Sequence, residues 1–358
     1  MTPTVLAKLS PHGSVTKWSS SLPTPSVFSP SEELTERVEF WRKIYSVYTT
    51  HQGVFHLPND PSFVLGEIDL TNIYSNSIYS DKLKKKLAEK EIKKKRQQLA
   101  VKWKIADIHK VRLQMGLKDR MQKALFLSGR YLPMMEKIFR QQGLPVELTR
   151  IVFVESSFNI LAQSKVGASG LWQIMPNVAR PLGYITAQYD KRNDPLYATE
   201  LAASILKENY RKLGSWPLAI TAYNHGLTGI QRMKNKANSN QIEDLIGSEN
   251  HTASWGFASR NFYACFLAVL EVEKRANELF GQDLVQSSAF NSKEYKLKQT
   301  LPKIKILRWY NGSVARFRQL NPHLNWIKIN RNNKIPAGIP LQIPSENYHM
   351  AVNQRCRN

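Results

Sequence analysis

Apolar residues recur at every third or fourth position along most of this chain as far as residue 280. The first such pattern, in residues 31–48, consists of Leu34, Val38, Trp41, Tyr45 and Tyr48. Spacing of this kind produces one apolar face on a helix. The segment Ser29–Glu32 offers a cap, a first-turn proline and an acid, so we expect the helix to start there. Comparable patterns predict helices at 121–140, 146–156, 196–213, 216–223 and 257–280, and therefore a mainly α fold.

The pattern changes after Gln282, where short segments are separated by Asn, Gly and Pro. Such punctuation is typical of short strands and turns, and it predicts a small separate α+β module at residues 295–345. The rest of the chain divides into a flexible N-terminal segment (1–30), a helical N-terminal region (31–142) and a main helical domain (143–281). Residues 49–61 are expected to form a loop.

Fifty-one Lys and Arg against 28 Asp and Glu give a formal net charge of +23. Such a charge attracts polyanions, including nucleic acid, anionic lipid and acidic wall polymers. Residues 82–96 hold nine basic side chains and two acidic ones in a stretch that predicts one long helix. We interpret this helix as a solvated basic face, with a polyanion site as the alternative. It carries no recognition motif and no interleaved aromatic residues, so no nucleic-acid partner is expected.

Several other classes of protein find no support in the sequence. The longest uncharged apolar stretch, Ala264–Leu270, is far shorter than the roughly 20 residues of a membrane-spanning helix. The first 30 residues contain no apolar run typical of a signal peptide. No motif has metal-ligand spacing, and neither a metal nor a cofactor is expected. Cys265 and Cys356 follow no spacing rule, so we assign neither a function.

Four motifs lie between residues 143 and 233 in a fixed order. They are GLPVEL at 143–148 running into FVESSFN at 153–159, AQSKVGASGLWQIMP at 162–176, Asp194-Pro195 before a helix, and AYNHG at 222–226. Each is weak alone, but their joint order resembles the lytic murein transglycosylase family, in particular its membrane-bound transglycosylase D branch. The resemblance implies a goose-lysozyme-like helical catalytic domain at 143–281 that cleaves the β-1,4 bond between MurNAc and GlcNAc in peptidoglycan.

Glu155 takes the position of the family's catalytic acid in the Glu-Ser pair. It follows the apolar residues 151–154, which can form a wall that keeps a carboxyl group protonated near neutral pH. The next acidic residue is Asp190, after thirty-four residues without an acid. The sequence therefore argues against a nearby second carboxylate, and favours one group that acts first as acid and then as base. The product would be a 1,6-anhydro-MurNAc end.

The resemblance also implies substrate-binding residues. Gln173 and Asn224 are expected to bind substrate acetamido groups, Tyr223 to hold Glu155, and Ser164 to contact the substrate near the acid. The family usually carries tyrosine where Phe262 stands, so Tyr263 is the candidate replacement. His225 stands where the family has a small residue. The alternative for Tyr223 is core packing, and for Ser164 and Asn224 it is turn formation.

Residues 296–344 resemble a LysM glycan-binding module that lacks the usual glycine-aspartate-threonine turn. The implied partner is the peptidoglycan glycan strand and the implied location is the periplasm or cell envelope, with peripheral association with the envelope left open. Two further functions stay open. One is a hydrolytic muramidase that admits water, and the other is an inactive peptidoglycan-binding protein whose site is spoiled at Phe262 and His225.

Overall fold

The computed structural model describes residues 15–247 and 255–353. The helices, α1 to α17 in chain order, are Glu32–Ser46, Thr71–Ser75, Asp81–Lys102, Lys118–Ser128, Leu132–Gln141, Ile151–Ser156, Pro176–Ala179, Pro195–Leu213, Trp216–His225, Leu227–Ala237, Ile242–Gly247, Phe257–Lys274, Ala276–Phe280, Lys303–Leu307, Val314–Leu320, Trp326–Asn332 and Tyr348–Val352. The strands, β1 to β9, are Val15–Lys17, Gln52–His56, Val64–Asp69, Arg112–Met115, Val285–Ser287, Ser292–Lys296, Leu301–Pro302, Lys334–Ile335 and Pro340–Pro344. Short 3₁₀ helices lie at Ile108–Lys110, Val146–Arg150, Lys191–Asn193, Arg308–Tyr310 and Ser345–Asn347.

Helix α12 lies at the centre of the larger hydrophobic core. Its residues from Phe262 to Leu270 are all buried, and a helix that is apolar on every side must be covered all round. Helices α1, α6 and α9 pack against it, and α4, α5 and α8 contribute to the same core. The predicted helix at 257–280 is thus present, divided at Arg275 into α12 and α13. The predicted mainly α fold is confirmed.

The core continues across the predicted boundary at residue 142. Leu34 and Val38 from α1 and Met135 and Phe139 from α5 belong to the same cluster of buried residues as Trp172. Burying an apolar side chain of this size contributes about 1.5–3 kcal/mol. Helices on both sides of the boundary therefore stabilise one another, while the boundaries themselves stay a prediction.

Residues 15–30 are more ordered than the flexible segment that the sequence suggested, while residues 1–14 of that segment lie outside the described residues. Strand β1 pairs antiparallel with β5, with Val15 opposite Ser287. Trp18 and Phe28 are buried in the core. The segment was predicted to be flexible because it is rich in Pro, Ser and Thr. Burial of these two aromatic side chains holds it against the core.

A buried ion cluster lies just before α6. Arg150 is fully buried, and its guanidinium donates to Glu136 at 2.6 Å and to Glu273 at 2.7 Å. The hydroxyls of Ser20 and Ser21 donate to the same two carboxylates. A buried charge is tolerated only when its partners satisfy it, and removing one partner typically costs about 3–5 kcal/mol. The cluster joins the N-terminal segment, α5 and α12 to the start of α6.

The N-terminal region is less purely helical than predicted. Strands β2, β3 and β4 form an antiparallel sheet in the order β3-β2-β4, so the loop expected at 49–61 contains a strand. A small separate core holds this sheet, formed by Phe55, Leu65, Leu99 and Val111. The strands are too short for their alternation to be visible in the sequence, because only long periodic segments give a clear signal.

The two helices predicted in this region are present as α1 and α3. Helix α1 begins at Glu32 with Ser31 at the N-cap position, two residues later than the expected start. The Ser31 hydroxyl does not cap the helix, because it donates to Glu243 at 2.5 Å. The basic stretch forms the long helix α3, in which Ala88 and Leu99 are buried while most of the lysines are exposed. Its solvated basic face is therefore present in the fold.

The C-terminal module has its own hydrophobic core, which includes Trp309, Tyr310, Phe317 and Leu341. Strand β6 pairs with β9, and β7 pairs with β8, both antiparallel. The mixture of short helices and strands agrees with the predicted α+β class of this module. His323 lies against Asp194, with 3.1 Å between Nδ1 and Oδ2, and so connects the module to the start of α8.

Candidate active site

Glu155 lies in the last turn of α6, where the chain leaves the helix through two left-handed residues. Ser157 has φ 50° and Phe158 has φ 57°, a conformation that is costly for residues other than glycine. The Phe158 ring is buried and packs edge-on against Phe153, with 4.7 Å between the ring centroids. This packing offsets the backbone cost and ends the helix directly after the carboxylate.

The side chain of Glu155 opens into a cleft of about 660 Å³. The wall of the cleft is formed by α6, the loop after it, α4 and the C-terminal end of α1. Among the described residues that line it, Glu155 is the only one with a carboxyl group. The basic side chains of Arg120, Lys123 and Arg130 lie along the same wall. The structure thus agrees with the sequence in giving this region a single acid.

The Glu155 carboxyl group is partly buried and forms no hydrogen bond or ion pair within residues 15–247 and 255–353. Burial disfavours the charged form of a carboxyl group, and it raises the pKa of Glu155 to about 8. The group therefore carries its proton at neutral pH. This is the property that a general acid needs, because the proton must be present when the leaving group departs.

Gln173 lies across the cleft, on the loop that the second motif predicted. Its backbone is left-handed, with φ 48°. The side-chain Nε2 donates to Ala162 O at 3.1 Å and to Gly170 O at 2.9 Å. Both amide hydrogens are therefore used within the protein, and Oε1 is the atom that can accept a hydrogen bond from a substrate N–H.

The loop is held in place by close backbone contacts and by one buried indole. Gly170 has φ +79°, and a Cβ at this position would lie 2.1 Å from Arg192 O, so only glycine fits. Trp172 is fully buried, donates to Thr199 Oγ1 at 2.9 Å and stacks on Phe139. Trp172 is therefore a packing residue that orients the neighbouring Gln173.

The structure gives Tyr223 a different hydrogen bond from the expected one. Its hydroxyl donates to Trp172 O at 2.8 Å, although burial and the nearby Glu155 charge both raise the pKa of Tyr223. Tyr223 therefore lies close to Glu155, but its hydroxyl proton is donated to the loop that carries Gln173. The expected direct contact between Tyr223 and Glu155 stays a prediction.

Ser164, Asn224 and Tyr263 are not among the residues that line the cleft. The Ser164 hydroxyl accepts from Ala168 N–H at 2.9 Å and so stabilises a turn. Asn224 is exposed, and its Oδ1 accepts from Ser259 Oγ at 2.9 Å. Tyr263 is buried, stacks on Phe266 and lies near Glu243. Their substrate contacts stay predictions.

Tyr45 is a site residue that the sequence did not reveal, although it appears in the predicted apolar face of the first helix. It lines the cleft beside Glu155, and the carboxylate contributes to the raised pKa of its phenol after burial and Cys265. Periodicity showed that Tyr45 faces inward, but no sequence signal indicates which part of the interior it faces.

The comparisons with known proteins support the class that this site defines, a helical domain with one protonated glutamate in a cleft. Residues 134–246 match the family model described as Transglycosylase SLT domain. This match confirms the resemblance to lytic transglycosylases over this part of the chain. The structure has no helix among its described residues that is long and apolar enough to cross a membrane.

Particular relatives each match about a quarter of the chain. A protein of Alteromonas sp. (strain M-1) named "Putative tributyltin chloride resistance protein" is 38% identical over 104 residues, covering 27% of this chain and 50% of that protein. Membrane-bound lytic murein transglycosylase D of Escherichia coli (strain K12) is 35% identical over 89 residues, covering 24% of this chain and 20% of that protein. The chain thus spans half or less of the relatives it matches.

One solved structure that is similar to this chain is the 70 kDa soluble lytic transglycosylase Slt70 of Escherichia coli. The TM-score is 0.35 and the sequence identity 22%, and the match covers 46% of this chain and 26% of that one. The LysM-like interpretation of residues 295–345 stays a prediction.

Proposed function

We propose that this protein is a peptidoglycan lytic transglycosylase. The observation that carries the proposal is the single carboxyl group of Glu155, protonated at neutral pH, in the cleft of a transglycosylase SLT domain. A relative with 35% identity is named a lytic murein transglycosylase. The proposed substrate is the glycan strand of peptidoglycan.

In the first step Glu155 donates its proton to the glycosidic oxygen between MurNAc and GlcNAc. The bond from the anomeric carbon to that oxygen breaks, and the oxygen leaves as the 4-hydroxyl of GlcNAc. The acetamido carbonyl of MurNAc stabilises the positive charge that develops at the anomeric carbon, as in other substrate-assisted glycosidases. This assistance replaces the second carboxylate that the described lining of the cleft lacks.

In the second step the Glu155 carboxylate takes the proton from the 6-hydroxyl of the same MurNAc. The oxygen of that hydroxyl attacks the anomeric carbon and closes a 1,6-anhydro ring. The acid is thereby regenerated and no water is consumed. Gln173 supports the reaction if its free Oε1 accepts from the acetamido N–H, because this contact orients the carbonyl for the first step.

A hydrolytic muramidase would use the same acid but admit water instead of the 6-hydroxyl. An inactive peptidoglycan-binding protein would keep the cleft without turnover. The proposed activity places the protein in the periplasm or cell envelope, because its substrate lies there. Peripheral association with the envelope fits the basic charge of the chain.

The test is a digest of purified sacculi followed by mass spectrometry. We expect 1,6-anhydro products, lighter by one water than the reducing ends that a muramidase releases. Glu155→Gln should lose most of the turnover, about 100- to 10,000-fold, because general acid catalysis typically contributes this much. Glu91→Gln is the matched control, because Glu91 is exposed on α3 and is not among the residues that line the cleft. Reducing ends as the main product, or full activity of Glu155→Gln, would refute the proposal.

A further inference from the structure

Helices α1 and α12 lie side by side in a register that brings one phenol to the wall of the cleft. Trp41 Nε1 on α1 donates to Asn261 Oδ1 on α12 at 3.1 Å. One turn further along each helix, Tyr45 lies against Cys265. The Tyr45 ring is buried, yet the residue lines the same cleft as Glu155.

Tyr45 differs from the other phenols near Glu155 in the partners of its hydroxyl. A tyrosine hydroxyl has a single proton to donate. Tyr223 donates this proton to Trp172 O. Tyr131 accepts from Arg130, and its pKa is affected by burial and by Arg130 but not by the Glu155 charge. The Tyr45 phenol is hydrogen-bonded to the Cys265 thiol, which is a weak partner, and it lies close enough to Glu155 for that charge to raise its pKa further.

Position 262 cannot supply a hydroxyl. Phe262 lies three residues before Cys265 on the same helix. Residues three apart on a helix are neighbours on one face. The phenol beside this face therefore comes from α1, a helix that precedes the matched family segment in the chain.

We propose that Tyr45 is a positioning residue that donates a hydrogen bond to the Glu155 carboxylate once this group has given up its proton. The inference rests on the proposed function, because it assigns Tyr45 to the second step of the same reaction. The hydrogen bond holds one carboxylate oxygen and leaves the other directed at the 6-hydroxyl. It also stabilises a charge that otherwise lacks a partner among the described residues.

The proposed hydrogen bond from Tyr45 should change the pKa of Glu155 in one direction. A donor that stabilises the carboxylate lowers the pKa of Glu155, so its removal raises that pKa further. The other titratable or charged groups around the cleft are Arg120 and Lys123 on α4, Arg130, Tyr131, Tyr223 on α9 and Cys265 on α12. Tyr45→Phe removes one oxygen atom and keeps the ring, so only Cys265 among these groups loses a contact.

The experiment compares the wild type, Tyr45→Phe and the control Tyr48→Phe. Tyr48 follows α1, and its hydroxyl donates to Glu67 instead of facing the cleft. We expect kcat of Tyr45→Phe to fall about tenfold to a hundredfold with little change in KM, the size expected for one hydrogen bond to a charged group. The alkaline limb of its pH profile should move up by about one to two pH units. Tyr48→Phe should match the wild type.

A ¹³C NMR titration of the Glu155 carboxyl group in wild type and Tyr45→Phe tests the same contact without turnover. A higher pKa in the variant supports the proposal, and an unchanged pKa together with unchanged kcat refutes it. A wild type that forms no 1,6-anhydro products would refute the proposed function alone, because the titration still reports on the contact between Tyr45 and Glu155.

Discussion

Replacing Glu155 by glutamine should make the protein more stable, and the gain should grow with pH. Burial raises the pKa of Glu155 from its ordinary value of 4.5 to about 8. The folded state therefore holds its proton more tightly than the unfolded state, and folding becomes less favourable as pH rises between these values. Glutamine has a similar shape but never carries the charge, so Glu155→Gln avoids this cost.

The size of the effect follows from the pKa difference. A shift of about 3.5 units at about 1.4 kcal/mol per unit gives an upper limit near 5 kcal/mol. Water in the cleft reaches part of the side chain, which screens the charge and reduces the expected gain to about 2–4 kcal/mol. The difference should be close to zero below pH 4.5, develop between pH 4.5 and 8, and be complete above pH 8.

Urea unfolding of both proteins at pH 4.5, 7 and 9 measures the free energy of unfolding directly. Glu91→Gln serves as the control, because it replaces an exposed glutamate by the same residue. A difference between wild type and Glu155→Gln that is the same at all three pH values would contradict the argument. So would a wild type that is the more stable protein at pH 9.

Other predictions test the surface, the core and the loop. Binding to sacculi should weaken as salt rises, because salt screens the attraction between a basic surface and anionic wall material, and unchanged binding in a salt series would count against this. A chain truncated to residues 143–358 should melt well below the full chain, because α1, α4 and α5 share its core; equal melting temperatures would show that they do not brace it. Glu273→Gln should cost about 3–5 kcal/mol in urea unfolding by leaving Arg150 partly uncompensated, and an unchanged midpoint would contradict this. Gln173→Ala should raise KM while the products stay the same, and an unaltered KM would remove Gln173 from the binding site.

Much of the fold was predictable because it depends on long periodic segments. The apolar period predicted a helix at 257–280, where α12 and α13 lie, and the ordered motifs placed Glu155 at the end of a helix that is α6. The strands of the β3-β2-β4 sheet are too short to give such a signal. The basic run on α3 was predicted to be a solvated helical face, and its lysines are largely exposed.

The site was predictable only as far as its residues lie in one local segment. Glu155 and Gln173 come from neighbouring motifs and line the same cleft. Tyr45 reaches it from a distant helix, through a packing register that no spacing within α1 reveals. Tyr223 was expected to hold Glu155, but its hydroxyl donates to Trp172 O on the loop that carries Gln173, and its role stays a prediction.

The pairing of β1 with β5 has a consequence for the order in which this protein is built. In the same N-terminal segment, the Ser20 hydroxyl donates a hydrogen bond to the Glu273 carboxylate, and these two residues lie 253 positions apart in the sequence. Contacts so distant in the chain close late in folding, since their loop entropy must be overcome first. During synthesis, Glu155 emerges from the ribosome long before Glu273 and Ser287 do. The ion cluster at the start of α6 and the β1–β5 pair therefore cannot be complete on the growing chain until α12 and β5 have been made.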